Sequence, residues 1–223
     1  VGLNESGQVI GTSNRYDGAF ARGESAWLYN GGTTTEIGLM DSYHSTNSGY
    51  RLSNVSMLNE AGQVVGYSER FSASGFNAGE TAWLYDANTN QTHSFLLSVQ
   101  PIGNYAYSQV RYLGDDGLVL GTYSLFDSES EYLGERAFMF MTATGVHDLG
   151  GIVDSSFVDW NSLSSAIRAN GLGMIVGNGA LSNGNNMAYL LRPSAVPEPN
   201  ALLLTVLGLM LFVGRRHRSL QNN

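Results

Sequence analysis

The sequence predicts an all-β fold built from repeated four-stranded antiparallel units. Three observations predict it. A nine-residue phrase recurs along most of the chain at spacings of 55, 55 and 56 residues. A second, aromatic phrase follows each copy. Glycine is abundant, at 28 residues, and clusters where the pattern needs tight turns. Self-similarity at such a period is the mark of a stacked or radial array.

The first phrase is Leu3-Asn4-Glu5-Ser6-Gly7-Gln8-Val9-Ile10-Gly11. It returns as Leu58-Asn59-Glu60-Ala61-Gly62-Gln63-Val64-Val65-Gly66, then as Leu113-Gly114-Asp115-Asp116-Gly117-Leu118-Val119-Leu120-Gly121. The fourth copy, Ala169-Asn170-Gly171-Leu172-Gly173-Met174-Ile175-Val176-Gly177, is the most divergent. Asn-Glu-Ser-Gly and its relatives are reversal sequences, with glycine supplying a positive φ. The β-branched pairs that follow favour a strand. The second phrase is Ala26-Trp27-Leu28-Tyr29, Ala82-Trp83-Leu84-Tyr85, Ala137-Phe138-Met139-Phe140 and Ala188-Tyr189-Leu190-Leu191. Gly-Glu precedes the first three, at 23–24, 79–80 and 134–135.

Each unit therefore reads as strand, tight turn, strand, long loop, strand, turn, strand. Ser53–Leu58 and Ser108–Leu113 are first strands. The long loops are expected at 14–24, 69–80 and 124–134. A meander of this length matches the blade of a β-propeller. A twisted β-array or a β-sandwich suits the same strands. Residues 1–50 supply strands two to four, two full units follow, and residues 163–191 supply strands one to three. The 14 strands predict an open arc with exposed edges. The chain opens at Val1, which points to a fragment whose remainder holds a secretion signal and further blades.

The body is acidic. Nineteen Asp and Glu stand against 11 arginines, lysine is absent, and the net charge is −8. Nucleic acid is excluded as a partner, since no basic stripe exists to meet phosphate. With no cysteine, disulfides and thiolate metal sites are excluded.

Candidate sites are few. Tyr50, Tyr105 and Trp160 lie 55 residues apart ahead of the first strands, and Tyr16, Phe71 and Phe126 keep the same spacing at the ends of the second. The first column could stack on sugar faces; both also suit the space between blades. Asp86, Asn88 and Asn90 place oxygens at alternate positions, as a calcium loop begins, but Leu97 stands where that loop needs glutamate. No cofactor is expected. The histidines (His44, His93, His147, His217) occupy no repeated position and show no zinc spacing. Glu24, Glu80 and Glu135 recur once per unit. Glycosidase carboxylates form a unique pair, so the plainer expectation pairs these with Arg22, Arg136 or backbone amides, and no catalytic residue is assigned.

The end of the chain carries a different signal. Val196-Pro197-Glu198-Pro199 precedes an apolar run, 201–214, and then Arg215, Arg216 and Arg218. The prolines disfavour helix and keep the segment extended for a protease. As a helix the run would be about 21 Å long against a hydrocarbon core of about 30 Å. The arginines can snorkel, and the positive-inside rule puts them in the cytoplasm with the body across the membrane.

This order of elements resembles the PEP-CTERM sorting signal. The resemblance implies a Gram-negative host that makes exopolysaccharide, export, and recognition by an exosortase-type processing protease. It further implies inner-membrane insertion through the C-terminal helix with a periplasmic body, then release to the surface. The phrase Leu-Asn-x-x-Gly-Gln-Val-Val-Gly-Tyr-Ser with Ala-Trp-Leu-Tyr also resembles the extracellular HAF-type repeat over about residues 2–192. The histidine of that pattern is replaced by Ser25, Thr81 and Arg136.

The expected organisation is a repeat domain, 1–192, with repeats starting near 3, 58, 113 and 169. A Pro-rich linker with the sorting motif spans 193–200, a transmembrane helix 201–214 and a basic tail 215–223. The expected function is a non-enzymatic structural or adhesive role in the exopolysaccharide or biofilm matrix. The alternatives are a lectin-like glycan binder, and a polysaccharide-active enzyme with its site in the missing part.

Overall fold

The computed structural model describes residues 1–100, 104–152 and 160–193. The sorting motif, the apolar run and the arginine cluster lie outside the described residues. The chain divides into Val1–Leu191 and Arg192–Asn223; every described strand belongs to the first unit.

That unit is all-β. Its strands are β1 (Gly2–Leu3), β2 (Val9–Asp17), β3 (Phe20–Asn30), β4 (Thr33–Ile37), β5 (Arg51–Leu58), β6 (Gln63–Phe71), β7 (Asn77–Asp86) and β8 (Gln91–Ser94). They continue as β9 (Ala106–Leu113), β10 (Val119–Phe126), β11 (Tyr132–Met141), β12 (Gly145–Asp148), β13 (Trp160–Ala169), β14 (Ile175–Leu181) and β15 (Asn186–Leu191). Each repeat is an antiparallel meander: β5 pairs β6, β6 pairs β7 and β7 pairs β8, and β9 to β12 do the same.

Two expectations need correction. The long loops are hairpins. Phe71 faces Asn77 and Phe126 faces Tyr132 across short turns, because a register shift near each tip lets the strands run on past the expected end. The first repeat also has a stub of its first strand, with Gly2 opposite Ile10, so the described residues hold 15 strands.

The four turns opening the repeats are alike. In each, the amide at the start of the turn bonds the carbonyl four residues on, as in Asn59 N to Gln63 O (3.0 Å), and the turn glycine bonds back, as in Gly62 N to Asn59 O (3.2 Å). Gly7, Gly62, Gly117 and Gly173 sit at φ of 72–82°, where a Cβ is costly. One glycine per second strand has a different duty. Gly11, Gly66, Gly121 and Gly177 face Trp27, Trp83, Phe138 and Tyr189 across the hairpin, and the aromatic ring lies over the glycine. A Cβ there would collide with the ring. The two recurring phrases are thus halves of one cross-strand packing unit.

Repeats join through short parallel bridges. Gly23 and Glu24 pair with Arg51 and Leu52, and Gly79 and Glu80 pair with Ala106 and Tyr107. The glycines of these Gly-Glu pairs have positive φ and lie against the Arg51 and Ala106 carbonyls. The core lies between repeats. Ile10, Leu28 and Ile37 pack with Val64 and Trp83; Val65, Leu84 and Phe95 pack with Val119 and Phe138; Leu118, Leu120 and Leu149 pack with Leu163 and Ile175.

Polar side chains latch the turns at the same period. Asn4 Nδ2 donates to Asn59 O (3.0 Å), and Asn59 Nδ2 donates to Gly114 O (2.8 Å). The amides of Glu5 and Glu60 donate to the carboxylates of Glu60 and Asp115. At the third repeat the latch residues change. Gly114 has no side-chain amide, Gly171 no carboxylate, and Leu118 replaces the glutamine. Among the described residues the turn latch does not continue to the fourth repeat, although Thr122 Oγ1 donates to Ser164 O (2.8 Å) across the seam, and β13–β14–β15 form a separate sheet.

Candidate functional site

The extended β6–β7 hairpin and the bridge to β9 form a groove of about 260 Å³, lined by Tyr67, Glu69, Asn77, Glu80, Tyr105 and Tyr107. β6 and β7 put Glu69 and Glu80 directly opposite one another. Like charges in that position repel. Asn77 Nδ2 bonds Glu69, and Asn77 Oδ1 accepts from Gly79 N (2.9 Å), so the hairpin end is ordered. Among the described residues, no hydrogen bond or cation reaches the Glu80 carboxylate. Burial first, then the Glu69 charge, push its pKa above the usual carboxylate range. Burial and nearby glutamates likewise raise the Tyr67 and Tyr107 hydroxyls.

The aromatic columns meet each other. Tyr50 packs edge-on against Phe71 (5.9 Å), and Tyr105 edge-on against Phe126 (5.9 Å). Trp160 instead meets Tyr189 (6.1 Å). Tyr16 is exposed. Of the predicted stacking residues, Tyr105 alone lines the groove.

Asp86, Asn88 and Asn90 sit in the β7–β8 turn. Asp86 accepts from Asn88 N (2.8 Å) and from Gln63 Nε2 (3.3 Å). Asn88 donates to Ala61 O, and Asn90 accepts from the Tyr85 hydroxyl (2.8 Å). These side chains hold the hairpin. Among the described residues no three His, Asp or Glu groups converge as metal ligands.

The recurring glutamates do not take the expected partners. Glu24 accepts from Asn54 (3.2 Å), Arg22 pairs with Asp17 (3.1 Å), and Arg136 donates to the Glu135 carbonyl. The reason is the bridge, which brings β5 beside Glu24. Sequence reasoning also missed a cluster between the segment after β4 and strands β6 and β7, with His44 and Arg70 buried and Asp41 and Tyr43 exposed. His44 Nδ1 donates to Asp41 (2.9 Å), while Arg70 lies over the Tyr43 ring (5.4 Å) and bonds Thr81 (3.3 Å). Burial lowers the pKa of His44 against the opposing pull of Asp41. His44 follows no repeated spacing, so periodicity gave no signal for it.

Comparison with protein-family models, curated proteins and solved structures finds no match to this chain.

Proposed function

We propose that the chain is an exported, surface-sorted, non-enzymatic repeat protein with a structural or adhesive role in an exopolysaccharide matrix. The observation that carries this reading is the sequence of the tail: a Pro-Glu-Pro motif, an apolar run short for a membrane span, and Arg215, Arg216 and Arg218 beyond it. An exosortase-type protease is the proposed reader of that tail. The body suits such a role. Its turns latch to one another at a fixed period, and its interior is shared between neighbouring repeats, as in proteins that build extended surfaces by repetition. In the same reading the four-stranded units are blades of a propeller arc, with the HAF-type phrases as their repeated core. A reporter fused behind Arg218 tests the orientation. Cytoplasmic reporter activity, with residues 1–192 reached by protease from the periplasm, is the expected result. A periplasmic reporter contradicts it.

A second reading, glycan recognition by the body, is favoured by the groove. Tyrosine faces and hydrogen-bonding carboxylate and amide groups converge there, the combination that sugar rings and hydroxyls require.

A further inference from the structure

The groove is a departure from the repeat. Tyr105 and Glu80 recur, as Tyr50 and Trp160, and as Glu24 and Glu135. Gly79 recurs too, but Tyr67, Glu69, Asn77 and Tyr107 do not. Tyr67 stands where neighbouring repeats have Thr12 and Thr122, Glu69 where they have Asn14 and Ser124, and Tyr107 where they have Leu52 and Ser162. Asn77 replaces Ala21 and Tyr132. These four departures come from three strands and line one groove. The scaffold does not require them, since the neighbouring units fold without them.

The chemistry of the set is specific. Three tyrosines offer aromatic surface for the C–H faces of a sugar ring. The two facing carboxylates carry negative charge with no arginine paired to either among the described residues. A neutral sugar would leave that repulsion in place. An ammonium between Glu69 and Glu80 would relieve it, and tyrosine faces attract cations as well. We propose that this groove binds a saccharide bearing free amino groups, a de-N-acetylated hexosamine chain, with the ammonium held by Glu69 and Glu80 and the rings against Tyr67, Tyr105 and Tyr107. The proposal rests on the glycan-recognition reading above and names its ligand class.

Calorimetry of the whole chain with a glucosamine tetramer, an N-acetylglucosamine tetramer and a neutral glucose tetramer tests it. Binding of the glucosamine tetramer should exceed that of the other two by about tenfold or more, as a charge-assisted contact provides. Paired Glu69→Gln and Glu80→Gln substitutions should abolish the difference. Paired Glu129→Gln and Glu131→Gln substitutions, which remove the same charge from an exposed turn, should leave it intact. Thermal melts of both variants confirm folding, and Tyr107→Ala provides an independent probe of the stacking wall. Equal binding of all three tetramers overturns the amino-sugar assignment while keeping glycan recognition. Equal loss in both double variants shows non-specific attraction to an acidic protein and overturns it too. No binding of any tetramer overturns both the assignment and the glycan reading.

Discussion

Asn59 shows how much one side chain does in this array. Its Oδ1 accepts from Gln63 N (2.8 Å), and its Nδ2 donates to Gln63 Oε1 (2.8 Å) and to Gly114 O of the next repeat (2.8 Å). The residue is buried. Asn59→Ala leaves buried partners unsatisfied and should cost about 1–3 kcal/mol. Asn170 likewise accepts from the amide four residues on, Met174 N, and also from Leu172 N, but is exposed. Asn170→Ala should cost about 1 kcal/mol or less; denaturant melts of the two variants give the comparison. His44 predicts a pH effect. Its folded pKa lies below the ordinary 6.5, so the unfolded chain takes up the proton first as pH falls. Its contribution is present above about pH 6.5 and is lost below it. Asp41, held low by His44 and by the Tyr43 and His44 amides despite burial, keeps its contribution until pH falls into the carboxylate range. Glu80 runs the other way, because its raised pKa favours the protonated folded form as acid is added. Melting temperatures between pH 8 and 5.5 should fall for the native chain and fall less for His44→Gln.

At the scale of elements, the strand order of each repeat was legible because turn glycines and strand residues alternate at a fixed period. The loops were misread because extended hairpins and polar loops share a composition: Ser72-Ala73-Ser74-Gly75 closes a turn that the sequence alone leaves as part of a long connection. The Glu69–Glu80 pair was illegible for the same reason, since only the hairpin register places those residues opposite each other. The glycine pattern signalled the aromatic partners but not their contact. Trp27 and Trp83 each donate an indole N–H to a serine on the second strand, Ser13 and Ser68. In the third repeat Phe138 has no such donor, and Tyr123 stands in the serine's place. The seam at Gly114 and Leu118, where the turn latch is missing, gives the prediction that belongs here. Among the described residues β13–β15 share no strand ladder with β11 and lack the turn latch, holding the Thr122–Ser164 bond instead, so they should open as a unit more readily than the other repeats. Native-state hydrogen exchange should show their amides exchanging ahead of those in β5–β7. Leu118→Ala should widen the gap, at a cost of about 2–4 kcal/mol. Uniform protection across all the repeats would contradict the seam.

At the scale of the whole molecule, the body and the tail speak to different questions. The body's sequence specifies a modular all-β scaffold, and its departures from the repeat mark the groove. The tail's sequence, in the reading we propose, acts as a sorting signal through the order of its parts and their charge. From their combination we propose that this chain works outside the cytosol, attached to or shed from the envelope. Mass spectrometry of the native product, recovered from fractionated cells and medium, tests that claim most directly. The account predicts the body in the surface or extracellular fraction with a C-terminus that ends near Pro199, shorn of the apolar run and arginines. An intact chain ending at Asn223 in the cytosolic fraction would contradict it.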